Sequence, residues 1–196
     1  MHKLEQKGLL PEQMLAQLPA FMAKIERLAE ELGLSLAGYQ ADHIALRVND
    51  WDVAEQLHKA WLAYGKELST NEINGRPIVV IGFNTPLSCG PWQIEALELP
   101  YPGEKAYPQE GWEHIEFVIP SKAGDTDVLK VTLDQAFPEL ASQWDKLVDK
   151  GIKVKASCPS GEKERLSNPT YAFKQDGVCI KLHPHSLKAV IESEAE

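Results

Sequence analysis

Two histidines stand in near-identical strings 71 residues apart, Asp42-His43-Ile44-Ala45-Leu46-Arg47-Val48 and Glu113-His114-Ile115-Glu116-Phe117-Val118-Ile119. Each string alternates and predicts a strand. Ile44, Leu46 and Val48 take one face, and His43, Ala45 and Arg47 take the other. The apolar face belongs under helices, so His43 and His114 turn to the opposite face at equivalent places in two copies of one unit. If the copies pair about a pseudo-twofold, the two imidazoles converge. A neutral imidazole is a common ligand of divalent transition metals.

A third ligand is expected from another strand. In Trp92-Gln93-Ile94-Glu95-Ala96-Leu97-Glu98-Leu99, Glu95 and Glu98 face opposite ways. Glu98 interrupts an apolar run, where a carboxylate is costly unless it is paired or bound to a cation. Two histidines and a carboxylate with open positions suit Zn, Ni, Mn or non-haem Fe. Arg47 and Glu116 share the histidine faces of their strands. They suit a substrate carboxylate and an acid–base role respectively, or else a salt bridge to each other. His2 and His58 read as solvent residues, His185 as a loop residue, and Cys179 as a small buried thiol on the same face as Lys181.

The elements that must position these groups occur twice. Apolar residues spaced three and four apart predict helix over 11–32, with Pro19 breaking the run or starting a second helix and Gly33 as C-cap. The strand at 42–48 leads to a helix over 51–64, capped by Asn49 or Asp50 and ended by Gly65. Strands near 67–73, 77–83 and 92–99 follow, the first two joined by an Asn74-Gly75 hairpin turn. The order then recurs. A strand at 112–119 leads to a helical stretch from about 125 to 147, punctuated by Pro138 and closed by Gly151. Strands at 152–156, 170–174 and 178–183 complete the second copy, the last two joined by Gln175-Asp176-Gly177. The organisation is therefore a helical extension (1–34), a first βαβββ module (35–100), a Pro/Gly-rich linker (101–111) and a second βαβββ module (112–196), forming one unit. Ligand specificity is expected in loops near 87–91 and 158–168.

Composition sets the outer bounds. The chain has 196 residues, with 20 Lys+Arg against 29 Asp+Glu, a net charge of −9. That length buries a core without disulfides or a structural metal. The acidic balance argues against nucleic acid and anionic membranes as partners, since both need a basic face. The N-terminal residues lack the apolar core of a signal peptide. Three cysteines without paired spacing read as free thiols of a cytoplasmic protein.

The strings "DHIALRV", "EALELPYP", "EHIEFVIP" and "YAFKQDGVCIKLHP", in that order, resemble the vicinal oxygen chelate superfamily, which includes glyoxalase I, extradiol dioxygenases and bleomycin-resistance proteins. The resemblance spans about residues 42 to 185 and implies an α+β fold of two βαβββ modules in a concave, partly open barrel-like sheet. It also implies metal ligands on the first and last strands of each module, which carry over to His43, Glu98, His114 and Lys181. Lysine stands where the family has a carboxylate, and a protonated ammonium cannot ligate a metal. His183, two residues on, shares its face and can substitute. In a low-dielectric cup beside a cation, the pKa of Lys181 would fall, making it a base or a carbonyl-binding group; alternatively it pairs with Glu98 or Glu116.

Two functions follow. One is a divalent-metal-dependent isomerase, lyase or oxygenase acting on a small oxygen-bearing molecule, with Glu116 or Lys181 moving the proton. The other is a metal-free small-molecule binding protein in which Lys181 replaces the fourth ligand. Either works as a monomer or a homodimer.

Overall fold

The two histidine strings pair with each other. In the computed structural model, which describes residues 2–158 and 166–194, β1 (Gln40–Arg47) and β5 (Gly111–Val118) run antiparallel at the centre of one sheet. The first copy continues through α3 (Trp51–Trp61), β2 (Gly65–Ile73), β3 (Arg76–Cys89) and β4 (Trp92–Pro100). The second continues through α4 (Thr126–Ala136), α5 (Pro138–Ala141), a 3-10 turn (Trp144–Lys146), β6 (Lys153–Ser157), β7 (Thr170–Gln175) and β8 (Val178–His183).

The eight strands lie in the order β2-β3-β4-β1-β5-β8-β7-β6. On each side of the centre, the opening strand pairs in parallel with its closing strand, β1 with β4 and β5 with β8, and two antiparallel strands follow outward. The halves are thus related by a pseudo-twofold between β1 and β5. Among the described residues the edge strands β2 and β6 do not pair, so the sheet is open. The fold is α+β, as the resemblance implies.

Helices cover one face. Two precede the sheet, α1 (His2–Lys7) and α2 (Pro11–Leu32). The stripe of Met14, Leu18, Phe21, Ile25 and Leu32 on α2 is buried against β5 and β8. Ile44, Leu46, Leu97, Leu99, Ile115, Phe117, Ile180 and Leu182 meet the helices from the sheet and are essentially inaccessible. Each such side chain contributes about 1.5–3 kcal/mol by leaving water.

Pro19 does not break α2. It lies on the exposed side of the helix, where its ring has room and water can replace the hydrogen bond it removes. Gly33 ends α2 in the left-handed conformation, φ 71°. The helix after β1 stops at Trp61 rather than 64, and Asp50 caps it without a side-chain bond. Asn49 is engaged elsewhere, clasping the linker by two hydrogen bonds to the Tyr107 backbone, 2.8 and 2.7 Å. Asn74 and Gly75 both have positive φ (52° and 74°), the backbone of a tight hairpin between β2 and β3. A further helix, α6 (Leu187–Ser193), lies beyond the last predicted strand and is capped by the Ser186 hydroxyl.

Candidate functional site

The uncovered face of the four central strands carries the polar groups. Register explains which. On β1 and β5, His43 lies opposite Glu116, and His114 opposite Ala45. The parallel neighbours set Glu98 beside Ala45 and Lys181 beside Glu116. Strands lie about 4.8 Å apart, so side chains from β4, β1, β5 and β8 reach a common point only where the sheet is concave. They do reach it. His43, Glu98, His114 and Glu116 each offer one ligand atom, all within 4.8 Å of one another.

The contacts centre on two imidazole nitrogens. His43 Nε2 lies 3.5 Å from Glu98 Oε2 and 3.4 Å from Glu116 Oε1. His114 Nε2 lies 3.8 Å from Glu98 Oε1 and 3.1 Å from Glu116 Oε1. Neither nitrogen has a hydrogen-bond partner, although both are buried. They are close to the carboxylates but outside hydrogen-bond geometry, as is the Nε2 of His183 nearby.

His183 is buried at the edge of this set. Its Nε2 is 2.9 Å from Glu116 Oε2 and 3.8 Å from Asp42 Oδ2, and its ring stacks on His43 at 6.2 Å. It groups with Asp42 and His43 rather than with the four.

Arg47 does not form the expected salt bridge with Glu116. It stands beside Glu98 (3.9 Å) and Glu113 (3.7 Å), with Tyr107 of the linker over its guanidinium. Glu116 is taken up instead by the imidazoles and by Lys181, whose Nζ is 3.2 Å from Oε1. Arg47 Nε and Nη1 are buried without hydrogen-bond partners.

The electrostatics are those of a crowded, water-poor site. Burial works to raise the Glu98 and Glu116 carboxyls, but the imidazoles outweigh it at both, joined by Lys181 at Glu116, and hold both low, Glu98 at about 2. Burial works to lower His43, yet Glu116, Asp42 and Glu98 carry it well above the ordinary value. The same contest decides Lys181. Burial lowers its pKa, but Glu116 and Glu98 prevail and keep it raised. These carboxylates favour the ammonium form of the amine. Cys179, beside His114 across β5 and β8, has its thiol pushed up to about 12, chiefly by burial, and is an inert packing group.

Other expectations need correction. His58 is not a solvent residue; it is half-buried between Tyr101 (3.2 Å) and Glu67 (2.7 Å). Residues 87–89 end β3, and the turn that follows packs at a groove with Glu26, Leu34 and Trp92 on the helix side, away from the histidines. Of the second expected specificity loop, residues 159–165 lie outside the described residues. Two groups of the site escaped the sequence reading, Asp42 and Glu113. The acid directly before the histidine in both copies was the available signal.

A sheet built from two pseudo-symmetric βαβββ units, with imidazoles and carboxylates collected on its concave face, is the architecture that the vicinal oxygen chelate resemblance implies. The sequence profile described as "YecM protein" matches residues 11–194. Protein YecM of Escherichia coli is 41% identical over 179 residues, 91% of each chain. An uncharacterised protein of Haemophilus influenzae is 37% identical over 182 residues, covering 88% of this chain and 89% of that one. The solved structure "Structural Genomics, Protein EC4020" is 37% identical, covers 95% of this chain and 93% of its own, and superposes with a TM-score of 0.79. The chain belongs to the YecM family.

Proposed function

We propose that the concave face binds a divalent transition metal and that the protein is an enzyme for a small oxygen-bearing substrate. His43, Glu98 and His114 would hold the ion, with Glu116 as the fourth group and second carboxylate of the set. The observation that carries this reading is the pair of buried, unpartnered Nε2 atoms facing two ionised carboxylates. Two imidazoles with carboxylates and open positions suit Zn, Ni, Mn or Fe. A bound ion would supply Lewis-acid stabilisation of negative charge developing on substrate oxygen.

The chain's own residues do the rest. Arg47 offers Nε–H and Nη1–H that make ion pairs but no hydrogen bond, which suits a substrate carboxylate or oxyanion. The Lys181 ammonium stabilises negative charge beside Glu116. Glu116 takes the proton from substrate, with the buried His183 Nε2 2.9 Å from its Oε2 but outside hydrogen-bond geometry. Such chemistry fits an isomerase, lyase or oxygenase. The partner is a small molecule and the setting is a cytoplasmic monomer or homodimer. The net charge of −9 stands against nucleic acid and membrane, and no helix among the described residues is long and apolar enough to cross a bilayer.

The test is elemental analysis of protein purified without affinity nickel, followed by calorimetric titration with Zn, Mn, Ni and ferrous iron. One ion per chain is expected, and it should be lost in His43→Ala and His114→Ala. Wild-type protein that retains and takes up only traces of every metal overturns the proposal.

A second reading rests on one contact. The Lys181 ammonium, 3.2 Å from Glu116, can itself be the cation of the site, leaving a metal-free cup that binds a small ligand. In that case wild-type protein has no metal affinity and Lys181→Glu creates it.

A further inference from the structure

Each candidate ligand histidine follows an acid, Asp42 before His43 and Glu113 before His114. Strict alternation would send both acids to the helix-covered face, into the apolar core. Neither goes there. Along β1, Ala41 pairs with Phe117 and His43 with the adjacent Glu116, so Asp42 is an extra residue in its strand. Along β5, His114 pairs with Ala45 and Trp112 with the adjacent Leu46, so Glu113 is an extra residue in the other strand. These are two β-bulges, one per module, at equivalent places. A bulge breaks alternation and re-aims a side chain; here it keeps each acid on the face of the histidine that follows.

The consequence is a matched pair of contacts. Asp42 Oδ2 is 2.9 Å from His43 Nδ1, and Glu113 Oε2 is hydrogen-bonded to His114 Nδ1. Each acid is itself held. Leu187 N donates to Asp42 Oδ2 at 2.8 Å, while Arg47 (3.7 Å) and Lys174 (3.6 Å) flank Glu113. A neutral imidazole carries one proton, and a carboxylate at Nδ1 fixes it there. Nε2 is then left as an acceptor. Both Nε2 atoms are the buried, unpartnered ones that face Glu98 and Glu116.

We infer that Asp42 and Glu113 are positioning residues: the two bulges exist to lock His43 and His114 as Nδ1–H tautomers, with both Nε2 lone pairs turned to one point. Serving a metal depends on the proposed function; the tautomer lock does not. A carboxylate behind a ligand histidine typically affects metal affinity by about 10–100-fold.

The experiment has two readouts. Long-range 1H–15N correlation of the histidine rings, in metal-free protein at a pH where both are neutral, reports the tautomers directly. Wild type should show Nδ1–H for both rings. Asp42→Ala should release His43 alone and Glu113→Ala should release His114 alone, with Asp42→Asn intermediate because it keeps an acceptor oxygen. Zinc affinity, read by competition with a chromophoric chelator, should fall about 10–100-fold in each alanine variant and recover partly in Asp42→Asn. Nε2–H rings in wild type overturn the inference, and need no variant to fold. Variants with unchanged tautomers also overturn it, even if wild type binds zinc. Locked tautomers in a protein that binds no zinc uphold the inference and overturn the proposed metal function instead.

Discussion

The two modules share a skeleton and differ in where they put charge. Both open with a bulged acid, a histidine and a strand buried on its helix side. Two residues past the histidine, the first module has Ala45 and the second Glu116. On the parallel neighbour at the same register, the first has Glu98 and the second Lys181. Each half therefore supplies one imidazole and one carboxylate. In the second half the carboxylate has moved one strand inward, and an ammonium fills the place it left. Duplication keeps the parts that fix geometry, while the charges above them are free to exchange positions.

If the modules are equivalent in packing, truncating matched core residues should cost them alike. Leu57→Ala under the first helix and Leu133→Ala under the second, both inaccessible, should each lose about 2–5 kcal/mol by denaturant unfolding. A loss confined to one half would break the symmetry. If the modules are equivalent as ligand donors, His43→Ala and His114→Ala should each weaken metal binding by at least about 100-fold, or about 2.7 kcal/mol, by calorimetry. The asymmetry sharpens in the next pair. Glu98→Gln should weaken metal binding, whereas Lys181→Met, its counterpart, should strengthen it by roughly tenfold, since removing a nearby like charge at an effective dielectric near 20 is worth about 1–3 kcal/mol. Equal signs for the two would mean that Lys181 does not act on the ion electrostatically.

The smallest effect concerns the helical crossings, one helix in the first module and broken pieces in the second. Asp134 joins the pieces, accepting from Trp144 Nε1 (2.6 Å) and pairing with Lys130 (2.9 Å). Burial works to raise its pKa, but Lys130 and Trp144 outweigh it and hold it below the ordinary value. A depressed carboxylate stabilises the fold above its unfolded pKa, and that contribution is lost as pH falls through the folded one. Because Asp134 is about a third exposed, Asp134→Asn should cost under about 1 kcal/mol at neutral pH. The difference from wild type should vanish in acid, as read by melting at a series of pH values.

Much of this was legible in the residues. Alternation in 42–48 and 113–119 exposed the repeat, and Asn74-Gly75 marked its hairpin. Glu98 stood out as a carboxylate inside an apolar run. The bulges were not legible, because alternation presumes regular pairing and an extra residue shows only against a partner strand 71 positions away. The pull of Glu116 and Glu98 on Lys181 was not legible for a related reason: burial is local and favours the neutral amine, whereas its balance against those carboxylates depends on how close three strands bring them. Pro19 misled because a proline's effect depends on whether it faces solvent or packing.

The last helix has a consequence for how such a chain can be rebuilt. Helix α6 follows the second module, yet its first amide holds Asp42 of β1, and Glu194 just past its end accepts from Asn71 of β2 (3.1 Å). The tail of the later half is thereby stitched onto the earlier one. Chimaeras that splice halves from two relatives must keep α6 matched to the amino-terminal parent, or the seam opens behind His43.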